Sequence, residues 1–142
     1  MKKVCLVLVT LVILCGFFIA TAEAGQLCWQ VDSTNNNLDG YVSVMASGGK
    51  WTRAVHGVYY VQGGIYLPVA GNMVKYPNGS VLGIQLSTTA GMLTYLGILV
   101  TLDSNTLSGT GAVSEIESNN TRLFNVTFTK ISCKELPPYN AP

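Results

Sequence analysis

Between residues 26 and 133 the sequence is cut by turn-forming residues into eight short runs rich in Val, Ile, Thr, Tyr and Phe. No stretch after residue 25 holds a 3.6-residue apolar period. This is the pattern of strands joined by tight turns. It predicts strands over 26–32, 40–47, 51–61, 65–74, 80–88, 92–102, 107–116 and 122–133. The breaks include Asn35-Asn36-Asn37, Gly48-Gly49, Gly63-Gly64, Asn78-Gly79, Ala90-Gly91, Ser104-Asn105 and Asn119-Asn120. Asn78-Gly79 is the strongest hairpin signal, because both residues tolerate the positive φ of a type I′ turn.

Short connections make successive strands antiparallel neighbours. Eight such strands leave two exposed edges, and closing the meander into a barrel removes both. The expected fold is therefore an all-β, eight-stranded antiparallel up-and-down barrel. Closure also brings the start of the first strand beside the end of the last. Cys28 and Cys133 occupy those two places, so a Cys28–Cys133 disulfide is expected. If the two cysteines face each other, Leu27, Trp29 and Val31 share an apolar inner face with Phe124, Val126 and Phe128. Gln30 and Asp32 then share a mostly polar outer face with Asn125, Thr127, Thr129 and Ile131. Lys130 is the exception, a cation on the inner parity near one rim.

The middle of the chain is less tidy. Pairing across Asn78-Gly79 places Met73 opposite Ile84 and Gly71 opposite Leu86. Carried across Gly63-Gly64, that parity turns Val58 and Tyr60 inward. Pairing across Gly48-Gly49 instead groups Val42, Val44 and Ala46 with Trp51 and Val55. The two sets disagree on the third strand. Either a bulge near Gly57 shifts the phase or one turn is miscounted. The strand 92–102 is apolar on both faces, which implies a cover, a protein partner or a second copy on its outer side.

The N-terminus reads as an export signal. Lys2 and Lys3 precede an apolar run from Val4 to Ala20, and Ala22-Glu23-Ala24 supplies a small-residue cleavage site. Cleavage after Ala24, or less favourably after Ala22, gives a secreted or periplasmic protein with no membrane span in its mature part. The expected organisation is a signal peptide over 1–24, a barrel domain over 25–135 and an irregular Pro-rich tail over 136–142. Two of the four cysteines, Cys5 and Cys15, lie within the signal. One pair is left, as an oxidising compartment favours.

Only 11% of residues are charged and the net charge is +1. The cations after Lys3 are scattered, which excludes nucleic acid as a partner. No nucleophile elbow, zinc-binding helix motif, P-loop or dinucleotide fingerprint occurs. His56 is the lone histidine, and two cysteines with one histidine make a poor zinc site. No enzyme activity, metal or cofactor is therefore expected. Asn78-Gly79-Ser80, Asn119-Asn120-Thr121 and Asn125-Val126-Thr127 match the glycosylation pattern.

In its eight meandering strands, its export signal and its meeting terminal strands, the mature chain resembles the small calycin-type barrels, the lipocalins and avidin-like proteins. The lipocalin Gly-x-Trp is absent, since Leu27-Cys28 precedes Trp29, so no binding residue is carried over. The resemblance implies a cup for a small apolar or amphipathic ligand. Its expected lining is Trp29, Val44, Val58, Tyr60, Leu67, Ile84, Leu86, Val126 and Phe128, with Arg53 and Lys130 available to an acidic head group. The rival expectation is a structural or protein-interaction module, inhibitor-like or adhesin-like, with a filled barrel. A third is an enzyme on a barrel of the allene oxide cyclase or dirigent type. A fourth, an outer-membrane barrel, conflicts with the polar outer face of the last strand.

Overall fold

A computed structural model describes residues 25–79, 81–90, 94–118 and 120–137. The expected signal peptide and the end of the tail lie outside these residues, as do Ser80 and Asn119 of two glycosylation triplets. The eight strands are β1 (Gly25–Ser33), β2 (Gly40–Gly48), β3 (Thr52–Val61), β4 (Ile65–Lys75), β5 (Val81–Ala90), β6 (Thr94–Asp103), β7 (Gly109–Glu117) and β8 (Asn120–Ile131). They pair in sequence order, all antiparallel, and β8 returns to β1 to close the barrel.

The seam keeps the expected faces but not the expected register. Cys28 pairs with Ile131 rather than Cys133, a shift of two residues. A two-residue shift preserves the side-chain phase. Cys133 lies beyond the strand in a 3₁₀ turn, Cys133–Glu135, and its bond to Cys28 is formed there. Ser132 and Glu135 cap that turn reciprocally. Lys130 sits on the inner parity, as the sequence required.

The conflict on β3 resolves as a miscounted turn. Val61 pairs with Ile65, so the β3–β4 connection is the three residues Gln62-Gly63-Gly64. Both glycines adopt positive φ, 111° and 94°, as such a turn demands. One extra loop residue reverses the phase. Val55, Tyr59 and Val61 therefore point inward, whereas Val58 is exposed and Tyr60 half-buried on the outer wall. The expected inward placement of Val58 and Tyr60 is corrected accordingly. No bulge exists near Gly57, which pairs in unbroken register with Val44 and Val69.

Gly57 and Gly71 sit on the inner face where the wall bends. A Cβ at either would strike a carbonyl oxygen of the neighbouring strand, that of Ser43 and of Gln85 respectively. Their lack of a side chain lets the sheet curl tightly enough to close.

The interior is one apolar cluster. Trp29, Tyr59, Phe128, Ile84, Leu86 and Leu102 are among its fully buried members, with the Trp29 and Phe128 rings 6.1 Å apart. The β1–β2 connection closes one end. Its 3₁₀ turn, Asn36–Leu38, inserts Leu38 into the core, and the Tyr59 hydroxyl donates a hydrogen bond to the Leu38 carbonyl. A cavity of about 200 Å³ lies beside Leu38, and the opposite end, termed the open end, carries one of about 270 Å³.

Candidate binding site at the open end

The open end is formed by the β2–β3, β4–β5 and β6–β7 turns with the start of β1 and the end of β8. A cavity of about 270 Å³ lies there. Leu27, Met73 and Leu107 supply its apolar surface, and Lys50, Trp51, Arg53, Lys75 and Ser104 its rim.

Each rim residue is held by its element. Arg53 and Lys75 have the inward phase of β3 and β4, at ends where that phase opens on solvent rather than core. The Lys75 N–H donates to the Trp51 carbonyl at 2.8 Å, tying the β2–β3 turn to β4. Lys50 places its ammonium 5.4 Å from the centre of the Trp51 ring, within cation–π range. Ser104 donates its hydroxyl proton to the Gly79 carbonyl at 2.8 Å, linking two turns.

The β6–β7 turn is built around Asp103. Its carboxylate accepts the Asn105 and Thr106 N–H groups at 2.8 and 2.9 Å, and these bonds lower its pKa. Leu107 takes a left-handed φ of 55°, which presents its carbonyl to the core. The Trp29 indole N–H donates to that carbonyl at 2.6 Å, so the buried ring anchors the turn that walls the cavity.

Lys130 lies deeper. Its ammonium donates to the Cys28 and Ile131 carbonyls at 3.2 and 3.0 Å and sits 5.6 Å from the Trp29 ring centre. Burial lowers its pKa. The seam thus takes two of its three donors.

Charge is segregated along the barrel axis. Among the described residues, the ion pairs are those of Arg122 with Glu115 (3.9 Å) and Glu117 (3.3 Å), at the Leu38 end. Asp32 and Asp39 also lie toward that end. Lys50, Arg53 and Lys75 converge at the open end with no carboxylate partner among the described residues. Asp103 and Glu135, at the same end, already accept backbone N–H groups.

Of the eleven residues expected to form a ligand site, Arg53 is the one that reaches this cavity. Trp29, Val44, Leu67, Ile84, Leu86, Val126 and Phe128 are inside, but packed against one another as the core rather than around a cup. Sequence reasoning passed over Lys50, Lys75, Met73 and Leu107 as site residues. Lys75 was within reach, because it shares the inner phase of Met73. Leu107 was not, because its position depends on a positive φ.

Among the described residues no group of three His, Cys, Asp or Glu side chains could hold a metal, and no helix is long and apolar enough to cross a membrane. Comparison with protein-family models, curated proteins and solved structures finds no match.

Proposed function

We propose that this protein binds a small amphipathic anion at the open end of its barrel, acting as a binder rather than a catalyst. The observation that carries the reading is the meeting of three carboxylate-free cations, Lys50, Arg53 and Lys75, over an apolar surface of Leu27, Met73 and Leu107. Unpaired cations beside apolar surface favour an anionic head group joined to an apolar body, since Arg offers a planar fork of donors and Lys a compact charge. The cavity is below the roughly 300–1,000 Å³ of pockets for drug-sized molecules, which points to a small ligand or the short end of a longer one. The disulfide supports work in an oxidising compartment, in keeping with the expected export.

Calorimetric titration tests this with two surfactants of equal tail length below their micelle concentrations, octyl sulfate and octyltrimethylammonium. Octyl sulfate binds, and the Arg53→Glu/Lys75→Glu variant loses at least tenfold in affinity, about 1.4 kcal/mol. Equal binding of both surfactants overturns the charge argument.

A second reading, a protein-interaction module, rests on a different observation. The outer face of β6–β8 exposes Leu99 (64%) and Leu123 (72%), with Tyr95 and Ile116 beside them. A concave surface of about 480 Å³ lies among them, over Gly97 and Ala112. Exposed apolar patches of this kind often serve association. Sedimentation of the wild type and of Leu99→Lys distinguishes a self-associating face from a bare one.

A further inference from the structure

We infer that the outer wall of β1–β4 carries a carbohydrate-binding site, separate from the open end and built on a row of three tyrosines. The corrected phase of β3 creates it. Tyr60 pairs with Tyr41 of β2 on one side and with Tyr66 of β4 on the other, and Tyr41 pairs in turn with Gln30 of β1. The four residues form one line across four strands, all on the outer face. The Tyr41 and Tyr60 rings are stacked, 6.2 Å apart at 29°, and the Tyr60 and Tyr66 rings are 4.8 Å apart. With strands about 4.8 Å apart, the three rings span on the order of 10 Å, the length of a disaccharide.

The two sides of the row differ. On one side a groove of about 210 Å³ is lined by Val58, Leu136 and Pro137 with the tyrosines. On the other a groove of about 350 Å³ runs past Gln30, Asp32 and Gln62. The grooves share Tyr41, Tyr60 and Pro137. Gln30 donates one amide proton to the Asp32 carboxylate at 3.1 Å. That bond uses one amide proton and one carboxylate oxygen, and each planar group has a second one beyond it.

A pyranose ring matches this arrangement. Its axial C–H bonds, polarised by the ring oxygens, are attracted to the negative faces of aromatic rings. Its neighbouring hydroxyls each donate and accept, which suits paired planar amide and carboxylate groups. Tyrosine loses little conformational entropy on such contact. A purely apolar or proline-rich partner would leave Gln30, Asp32 and Gln62 unused.

The test is NMR titration of the disulfide-intact protein with cellotetraose, chitotriose, mannotriose and galactotriose at millimolar concentration. At least one binds and shifts Tyr41, Tyr60 and Gln30. Tyr41→Ala and Gln30→Ala each weaken it by tenfold or more, with thermal unfolding confirming that both variants fold. Arg53→Glu leaves it unchanged. Absence of binding by all four sugars overturns the inference. So does binding that survives both wall substitutions, or a titration in which only a proline-rich peptide occupies the tyrosine row.

Discussion

Cys28 and Cys133, 105 residues apart in sequence, are bonded at the seam where β1 meets β8. The bond lies where a closed meander brings its two ends together, and an open sheet of eight strands would hold the same residues a full sheet width apart.

The bond also constrains the unfolded chain. For a loop of this length the chain-entropy relation gives about 4.7 kcal/mol of stabilisation. The Cys28→Ser/Cys133→Ser variant is expected to lose an amount of that order in urea denaturation, while keeping its β-sheet circular dichroism at low denaturant. A loss below about 1 kcal/mol would mean that the two ends stay together without the bond.

The phase of β3 has a direct test in two substitutions of one kind. Val55 is 2% exposed and Val58 is 38% exposed. Val55→Thr puts a hydroxyl into the core and costs about 1–3 kcal/mol. Val58→Thr puts one into water and stays within about 0.5 kcal/mol. Thermal or chemical unfolding of the pair reads the difference, and equal losses would contradict the three-residue β3–β4 turn.

Tyr59 gives the fold an alkaline limit. Burial first, and the Asp39 carboxylate second, raise its phenol pKa well above the ordinary value. Near pH 10 an unfolded tyrosine begins to ionise while the folded phenol keeps its proton. The folded state then binds more protons, so this contribution is complete below about pH 10 and is lost as the pH rises. Tyr59→Phe is less stable at pH 8, because the hydrogen bond to Leu38 is gone. It also loses less stability than the wild type between pH 9 and pH 11. Lys130, whose pKa burial lowers, acts with the opposite sign in both proteins and cancels from the comparison. A parallel decline in the two proteins would contradict the assignment.

Period and turn chemistry made the barrel legible in the sequence. The Asn78-Gly79 hairpin fixes Met73 opposite Ile84, and this pairing is found. The cysteine pair locates the seam to within two residues. Phase failed where loop length was ambiguous. Gly63-Gly64 reads equally well as a two-residue turn or as the end of a three-residue one, and a single residue decides which face of β3 is inside. The tyrosine row depends on that decision, so it was hidden. The open-end site was half visible. Arg53 stood out as a cation on an inward phase, but the Leu107 contribution follows from a left-handed residue held by the Trp29 indole, a contact across 78 residues. The filled interior was beyond composition altogether, because the same apolar side chains can line a cup or close it.

The central claim is that the open end of the barrel receives an anionic head group. The most direct measurement is amide chemical-shift mapping of the disulfide-intact protein during titration with octyl sulfate. The account predicts saturable shifts at Lys50, Trp51, Arg53, Lys75, Ser104 and Leu107, with the β5–β8 outer face unmoved. Shifts confined to Tyr95, Leu99 and Leu123, or no saturable shifts at all, would contradict it.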